Sequence, residues 1–193
     1  LKPVVAVAAA LLAAVVVVHA APWIGGGFGY SLDGFNGAVW GQGARALVDD
    51  PIGSRLGGVQ PDGHRYANHP PLTVWSAAAA VAVGGDHPVT ARLPAIVAAA
   101  VTPALLGLLL SRSGVRPAAV VVGLVAGATS SMALAYGVML DTPVVSLPAG
   151  IAVLLVAQRS WTGDPPSTAA LVGAGALAAA AGWQAALLAL VAT

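Results

Sequence analysis

The sequence predicts an all-α polytopic membrane protein, and three observations carry that reading. Of the 193 residues, 58% are hydrophobic and only 8% are charged, against about 25% charged in a soluble domain. Such a chain lacks the charge to coat a water-facing surface. Its apolar residues fall in uncharged runs of roughly the 20 residues that a bilayer-spanning helix needs. Its polar residues gather in one stretch, Tyr30 to Leu72, which holds Asp33, Asp49, Asp50, Asp62, Arg45, Arg55, Arg65, His64 and His69. A net charge of +1 argues against nucleic acid as a partner. The absence of cysteine excludes disulfides and thiolate metal sites.

The elements follow in order. Lys2 and Pro3 precede an apolar run without charge as far as His19. It is longer than a signal-peptide core, so it reads as an anchor helix over about residues 4–21. Lys2 sets its start on the cytoplasmic side. Residues 22–90 read as a long first external region carrying surface or re-entrant helices. Pro22 to Gly29 is a glycine-rich exit. Phe35, Val39, Ala46 and Leu47 then fall near helical spacing, with Asn36, Gln42 and Arg45 between them. This predicts a short amphipathic surface helix loosened by its glycines. Asp33-Gly34 can cap it, and Asp49-Asp50-Pro51 ends it. Ile52 to Gly63 reads as loop.

Pro70 and Pro71 suit a first helical turn, but the apolar run to Val83 is short for a crossing. Further spans are expected at about 91–111, 118–140, 143–158 and 168–192. Pro94 and Pro103 are tolerated in membrane helices. Thr129, Ser130 and Ser131 interrupt the third span. Gly182-Trp183-Gln184 leaves the last one as a single helix or as two halves. Residues 1–193 thus form one transmembrane module. A start at Leu1 and an apolar run reaching almost to Thr193 read as a piece of a longer protein.

Topology decides which polar groups meet. If Arg112 and Arg116 are cytoplasmic, as Lys2 and Arg159 are, the 91–111 span runs inward and the 118–140 span returns. Asp141 then emerges on the outer face, beside the Tyr30–Leu72 stretch. This requires residues 70–83 to be a surface or re-entrant helix.

Three groups can carry chemistry. Asp33, at the membrane boundary, can accept a proton from a hydroxyl, hold a metal, or cap a helix. Asp141, in a minimal turn between two spans, is either functional or a cap for the helix opening at Pro143. His69 precedes Pro70-Pro71 at a helix start, where backbone N–H groups favour phosphate. Arg65, an apt partner for phosphate, and Tyr66 lie just upstream. His64 and His69 alone make a weak metal signature. Trp23, Trp40 and Trp75 suit the lipid interface. His19, His87, Asp62, Asp86 and Asp164 read as structural.

The ordered set Asp33-Gly34-Phe35-Asn36, Ala44-Arg45, Tyr66, His69-Pro70-Pro71-Leu72, Arg92-Leu93-Pro94-Ala95 and Leu140-Asp141-Thr142-Pro143 resembles the GT-C membrane glycosyltransferases. The likeness is nearest to the branch of protein O-mannosyltransferases and aminoarabinose lipid A transferases. It covers most of the chain and implies a GT-C-like N-terminal transmembrane module. It further implies a polyprenyl-phosphate sugar as donor and a glycan, lipid or protein acceptor outside a bacterial inner membrane. By that resemblance Asp33 is the base and Asp141 a supporting acid. Arg45, Arg65, Tyr66, His69 and Asn36 bind phosphate or acceptor. No cofactor is required by it; a divalent metal stays open, with Asp33, Asp141 and His69 as candidate ligands. Two positions depart from the pattern. The second acid of the family's opening pair is Gly34 here, and a lysine of the lipid A transferases is His69.

Overall fold

The computed structural model describes residues 1–28, 32–57, 69–182 and 185–187, without the side chains of Leu32, Asp33, Met132 and Ala135. Every regular element among the described residues is a helix: α1 Pro3–Ala20, α2 Leu32–Asp49, α3 Leu72–Gly84, α4 Pro88–Arg112, α5 Pro117–Ala128, α6 Ser131–Tyr136, α7 Thr142–Trp161 and α8 Thr168–Ala181. Proline stands in the first turn of α1, α4, α5 and α7, where its missing N–H would lack a helical partner anyway. Three helices, α1, α4 and α7, are long and apolar enough to cross a membrane. The described part of the chain is therefore all-helical, and the composition is that of a membrane protein.

Side-chain contacts orient the long helices. Gln158, near the end of α7, donates to the Leu109 carbonyl at 3.4 Å and to Ser113 Oγ at 2.9 Å, so α4 and α7 finish at the same end. Val5, Leu12, Val120 and Leu124 form one core cluster, which pairs the start of α1 with the end of α4 and with α5. Ala149, Val153, Ala178 and Ala181 pack α8 against α7. Small residues there let the two backbones approach closely, the usual device where lipid removes the hydrophobic drive between helices. The result is a bundle with two unlike ends. Lys2, Arg112, Arg116, Arg159 and Asp164 mark one; α2, α3 and Asp141 mark the other.

α3 does not run the length of the bundle. Its first turn meets the start of α7, where Thr73 Oγ1 donates to Thr142 Oγ1 at 3.4 Å. Its last turn meets the start of α4, where Thr90 Oγ1 reaches the Gly84 carbonyl at 3.5 Å. Since α4 and α7 are parallel, α3 bridges their N-terminal ends. The core here joins Trp40 and Ala44 of α2, Val74, Ala77, Ala78 and Val81 of α3, Ala91 and Ala95 of α4, and Leu140 and Val145.

Two expectations need correction, and one open alternative, the last run as a single helix or two halves, is decided for the halves. The 118–140 span is not one helix. Ser130 Oγ donates to the Gly127 carbonyl at 2.8 Å and accepts from the Ala133 N–H at 3.2 Å, so it caps α6 and ends the run from α5. Hydroxyl side chains compete with the helix for backbone groups, and here they win. The 168–192 run ends as a helix at Ala181, with Gly182 extended and residues 185–187 helical again; Trp183 and Gln184 lie outside the described residues. The glycines of α2 do not loosen it: residues 32–49 form a continuous helix.

Those glycines serve packing instead. An added Cβ at Gly37 would overlap Phe28 Cε1, and one at Gly41 would lie 3.1 Å from Phe28 Cε2. Gly37 and Gly41 are one turn apart, so they make a shallow groove that takes the Phe28 ring. Gly37→Ala is expected to destabilise by about 1–3 kcal/mol through overpacking, only partly offset by alanine's better helix propensity. Gly41→Ala should cost less. Unfolding curves of the two variants in detergent check the order, and equal stability of both would refute the groove.

Candidate functional site

Leu140 is fully buried, and it brings the chain into α7 with Asp141 as N-cap, in an extended conformation. The Asp141 carboxylate accepts three N–H bonds. Oδ2 takes Asn36 Nδ2 at 3.0 Å, and Oδ1 takes Trp40 Nε1 at 3.0 Å and the Thr142 backbone N–H at 2.7 Å. Asn36 and Trp40 are four residues apart on α2, so both project from one face. The anion also sits where the α7 dipole favours negative charge. All three donors are neutral, and among the described residues no cation pairs with Asp141.

The polar seam continues outward from Asp141. Trp40 is 4% exposed, and its ring meets His69 edge-on at 5.5 Å between centroids. Thr142 and Thr73 are buried and joined through their hydroxyls. Four separate segments thus converge: α2, the approach to α3, α3 itself and the start of α7. A buried indole N–H needs a partner, and a half-buried carboxylate needs donors; each answers the other here.

Of the residues singled out from sequence, Asp141 and Asn36 touch, and His69 joins them through Trp40. Asp33 lies in the first turn of α2, one turn before Asn36, with its side chain outside the described part. Arg65 and Tyr66 lie outside the described residues, as do His64 and Asp62. Arg45 is engaged elsewhere: its Nε donates to Asp86 Oδ1 at 2.6 Å in an exposed ion pair. Asp86 therefore has the structural role expected of it. Asp141 is both a helix cap and the hub of the seam, so its two readings are not exclusive.

Trp40 was expected at the lipid interface and is instead a buried hydrogen-bond donor to Asp141. Its signal in the sequence is the Asn36-x-x-x-Trp40 spacing, which aligns two donors. Thr73 and Thr142 carried no sequence signal, because their pairing joins residues 69 positions apart. Arg92 is the other unexpected buried group, at 3% exposure. It donates from Nη1 to the Ile24 carbonyl at 3.2 Å and the Gly26 carbonyl at 2.5 Å. Its guanidinium carbon lies 4.4 Å from the Phe28 ring centroid, within cation–π range.

The described residues contain no cluster of three or more metal-ligating side chains. Around Asp141 the geometry suits donors: three N–H groups take up most of the carboxylate's acceptor capacity. No protein-family model matches the chain, and no curated protein or solved structure matches it.

Proposed function

We propose that this chain is the multi-pass N-terminal module of a GT-C-type glycosyltransferase. It moves a sugar from a polyprenyl-phosphate donor to an acceptor on the outer side of the membrane. One observation carries the reading: Asp141, from late in the chain, closes on Asn36 and Trp40 of α2, the helix whose first turn holds Asp33. The two acids singled out by the resemblance therefore belong to one end of the bundle. The opposite end carries Lys2, Arg112, Arg116 and Arg159 and is the cytoplasmic one by the positive-inside tendency.

The chemistry divides between the two acids. Asp33 takes the proton of the acceptor hydroxyl as that oxygen attacks the anomeric carbon. The bond to the donor phosphate breaks, and the phosphate leaves with the electron pair. The oxygen arrives opposite the leaving group, so the anomeric configuration inverts. His69, in the approach to α3, and Arg65, four residues before it in sequence, hold the phosphate; Arg45, bound to Asp86, contributes less. Asp141 positions α2 and with it Asp33.

The test is sugar transfer by the full-length protein, using a polyprenyl-phosphate sugar as donor. Asp33→Asn should lower turnover by about 10²–10⁴-fold, the usual contribution of a positioned base. Full activity in this variant would sink the role of Asp33. A second reading has its own support. Asp141 already accepts three of the roughly four hydrogen bonds a carboxylate can take, as a structural clamp in a lipid-binding scaffold or transporter would. Donor-lipid binding without turnover in the wild-type protein favours that alternative.

A further inference from the structure

We propose that the basic end of the bundle binds an anionic phospholipid by its phosphate headgroup, in the cavity between the start of α1 and the α4–α5 turn. The proposal rests on the chain lying in a bilayer and is independent of sugar transfer. The cavity has a volume of about 540 Å³; its polar lining is Lys2, Ser111 and Arg112, and its apolar lining includes Leu1, Leu108, Val115 and Pro117. Among the described residues, no carboxylate lines it.

Charge accounting makes the case. The described residues at this end carry four basic side chains, Lys2, Arg112, Arg116 and Arg159, and one acid, Asp164. Asp164 is taken: Arg159 donates to its Oδ2 from Nε at 3.0 Å and from Nη2 at 2.7 Å. Among the described residues, Lys2, Arg112 and Arg116 have no ion-pair partner. Asp86 and Asp141 belong to the opposite end of the bundle. Lys2 and Arg112 line one cavity, and like charges there repel one another unless a counter-ion comes from outside the chain.

In a bilayer, helix ends lie in the headgroup layer, where basic pockets between spanning helices take anionic headgroups. A net-anionic headgroup suits Lys2 and Arg112. A zwitterionic one brings its own ammonium beside them. The apolar wall distinguishes a lipid from dissolved phosphate: Leu108, Val115 and Pro117 offer acyl and glycerol contacts that a free ion leaves unused.

The test is lipid retention by the purified full chain. The protein is reconstituted in phosphatidylcholine nanodiscs containing a minor share of phosphatidylglycerol, and bound lipids are identified by native mass spectrometry after release. Phosphatidylglycerol should be retained over phosphatidylcholine. That preference should fall about fivefold for each charge removed in Lys2→Gln and Arg112→Gln, following the strength of one basic residue near an anionic surface. Arg159→Gln combined with Asp164→Asn, which removes a cation together with the acid it pairs, should leave the preference unchanged, and Arg112→Lys should largely keep it. Equal retention of both lipids, or an unchanged preference in the double variant, overturns the proposal. So does complete displacement of the lipid by inorganic phosphate, which assigns the cavity to the dissolved anion. Lys2 and Arg112 are exposed, so the variants keep their fold. Retention is read without a sugar donor, so its failure leaves the transfer reading untouched.

Discussion

Asp141→Ala is expected to destabilise the folded bundle by about 3 kcal/mol. The substitution leaves three N–H groups without an acceptor, among them the indole of Trp40, which is 4% exposed. An orphaned buried donor costs about 1–3 kcal/mol, and water can satisfy part of the loss because Asp141 itself is only half-buried. The effect should appear as a lower midpoint in denaturant titrations of the detergent-solubilised protein, with fluorescence as a local probe once the other four tryptophans are replaced by phenylalanine. Asp141→Asn is a sharper variant. Its amide oxygen still serves Trp40 and the Thr142 N–H, while its NH₂ group faces Asn36. Asn36 can turn its own amide to present the oxygen, so the loss should be about 1 kcal/mol. The exchange Asn36→Asp with Asp141→Asn restores one acid and one amide in swapped places. Recovery of stability by the exchange identifies the hydrogen-bond pattern as the clamp. If Asp141→Ala unfolds at the wild-type midpoint, Asp141 does not hold α2 to α7.

Arg92→Ala is expected to cost about as much, roughly 3 kcal/mol, by a different route. Arg92 ties down the link between α1 and α2: it holds the carbonyls of Ile24 and Gly26 and covers Phe28. Hydrogen bonds from a charged donor are worth about 1.5–3 kcal/mol, and a desolvated cation–π contact adds about 1–2 kcal/mol. The alanine variant loses both and leaves the two carbonyls to find water. Arg92→Lys keeps the charge but not the planar fork, and should recover about half of the stability. The distinguishing readout is local. Amide exchange over residues 21–28 should accelerate in Arg92→Ala well before the amides of α4 respond. Unchanged protection of 21–28 would show that Arg92 does not anchor the link. Phe28 seats in the Gly37–Gly41 groove, so loosening the link should also loosen α2.

These two residues show how the sequence and the tertiary structure share the information. The all-helical class was readable because hydropathy and helix length are properties of single segments. α1, α4 and α7 stand close to where the uncharged runs put them, with prolines marking their starts. The end of α2 was readable too, from Asp49-Asp50-Pro51. The break between α5 and α6 was visible only as three hydroxyl residues, since a hydroxyl can either face a neighbouring helix or cap a new one. The position of Asp141 near α2 followed from counting crossings and basic turns, a rule about whole segments rather than contacts. The partners of each side chain could not be counted that way. Trp40 looked like an interfacial aromatic because its depth depends on α3 and α4 closing over it.

The sequence by itself determined what this protein is made of: helices, where most of them start, and a division between a basic end and an end rich in polar loop. Each of these depends on local propensity, apolar run length and charge order along the chain. Only the tertiary structure decided that α3 bridges two helix starts, that Asp141 joins Trp40, that Arg92 is buried and that Arg45 is spent on Asp86. Those facts depend on how far apart in sequence two groups can be and still meet. Burial of a polar group is tolerated only where the fold brings it a partner, and that partner is a property of the packed bundle.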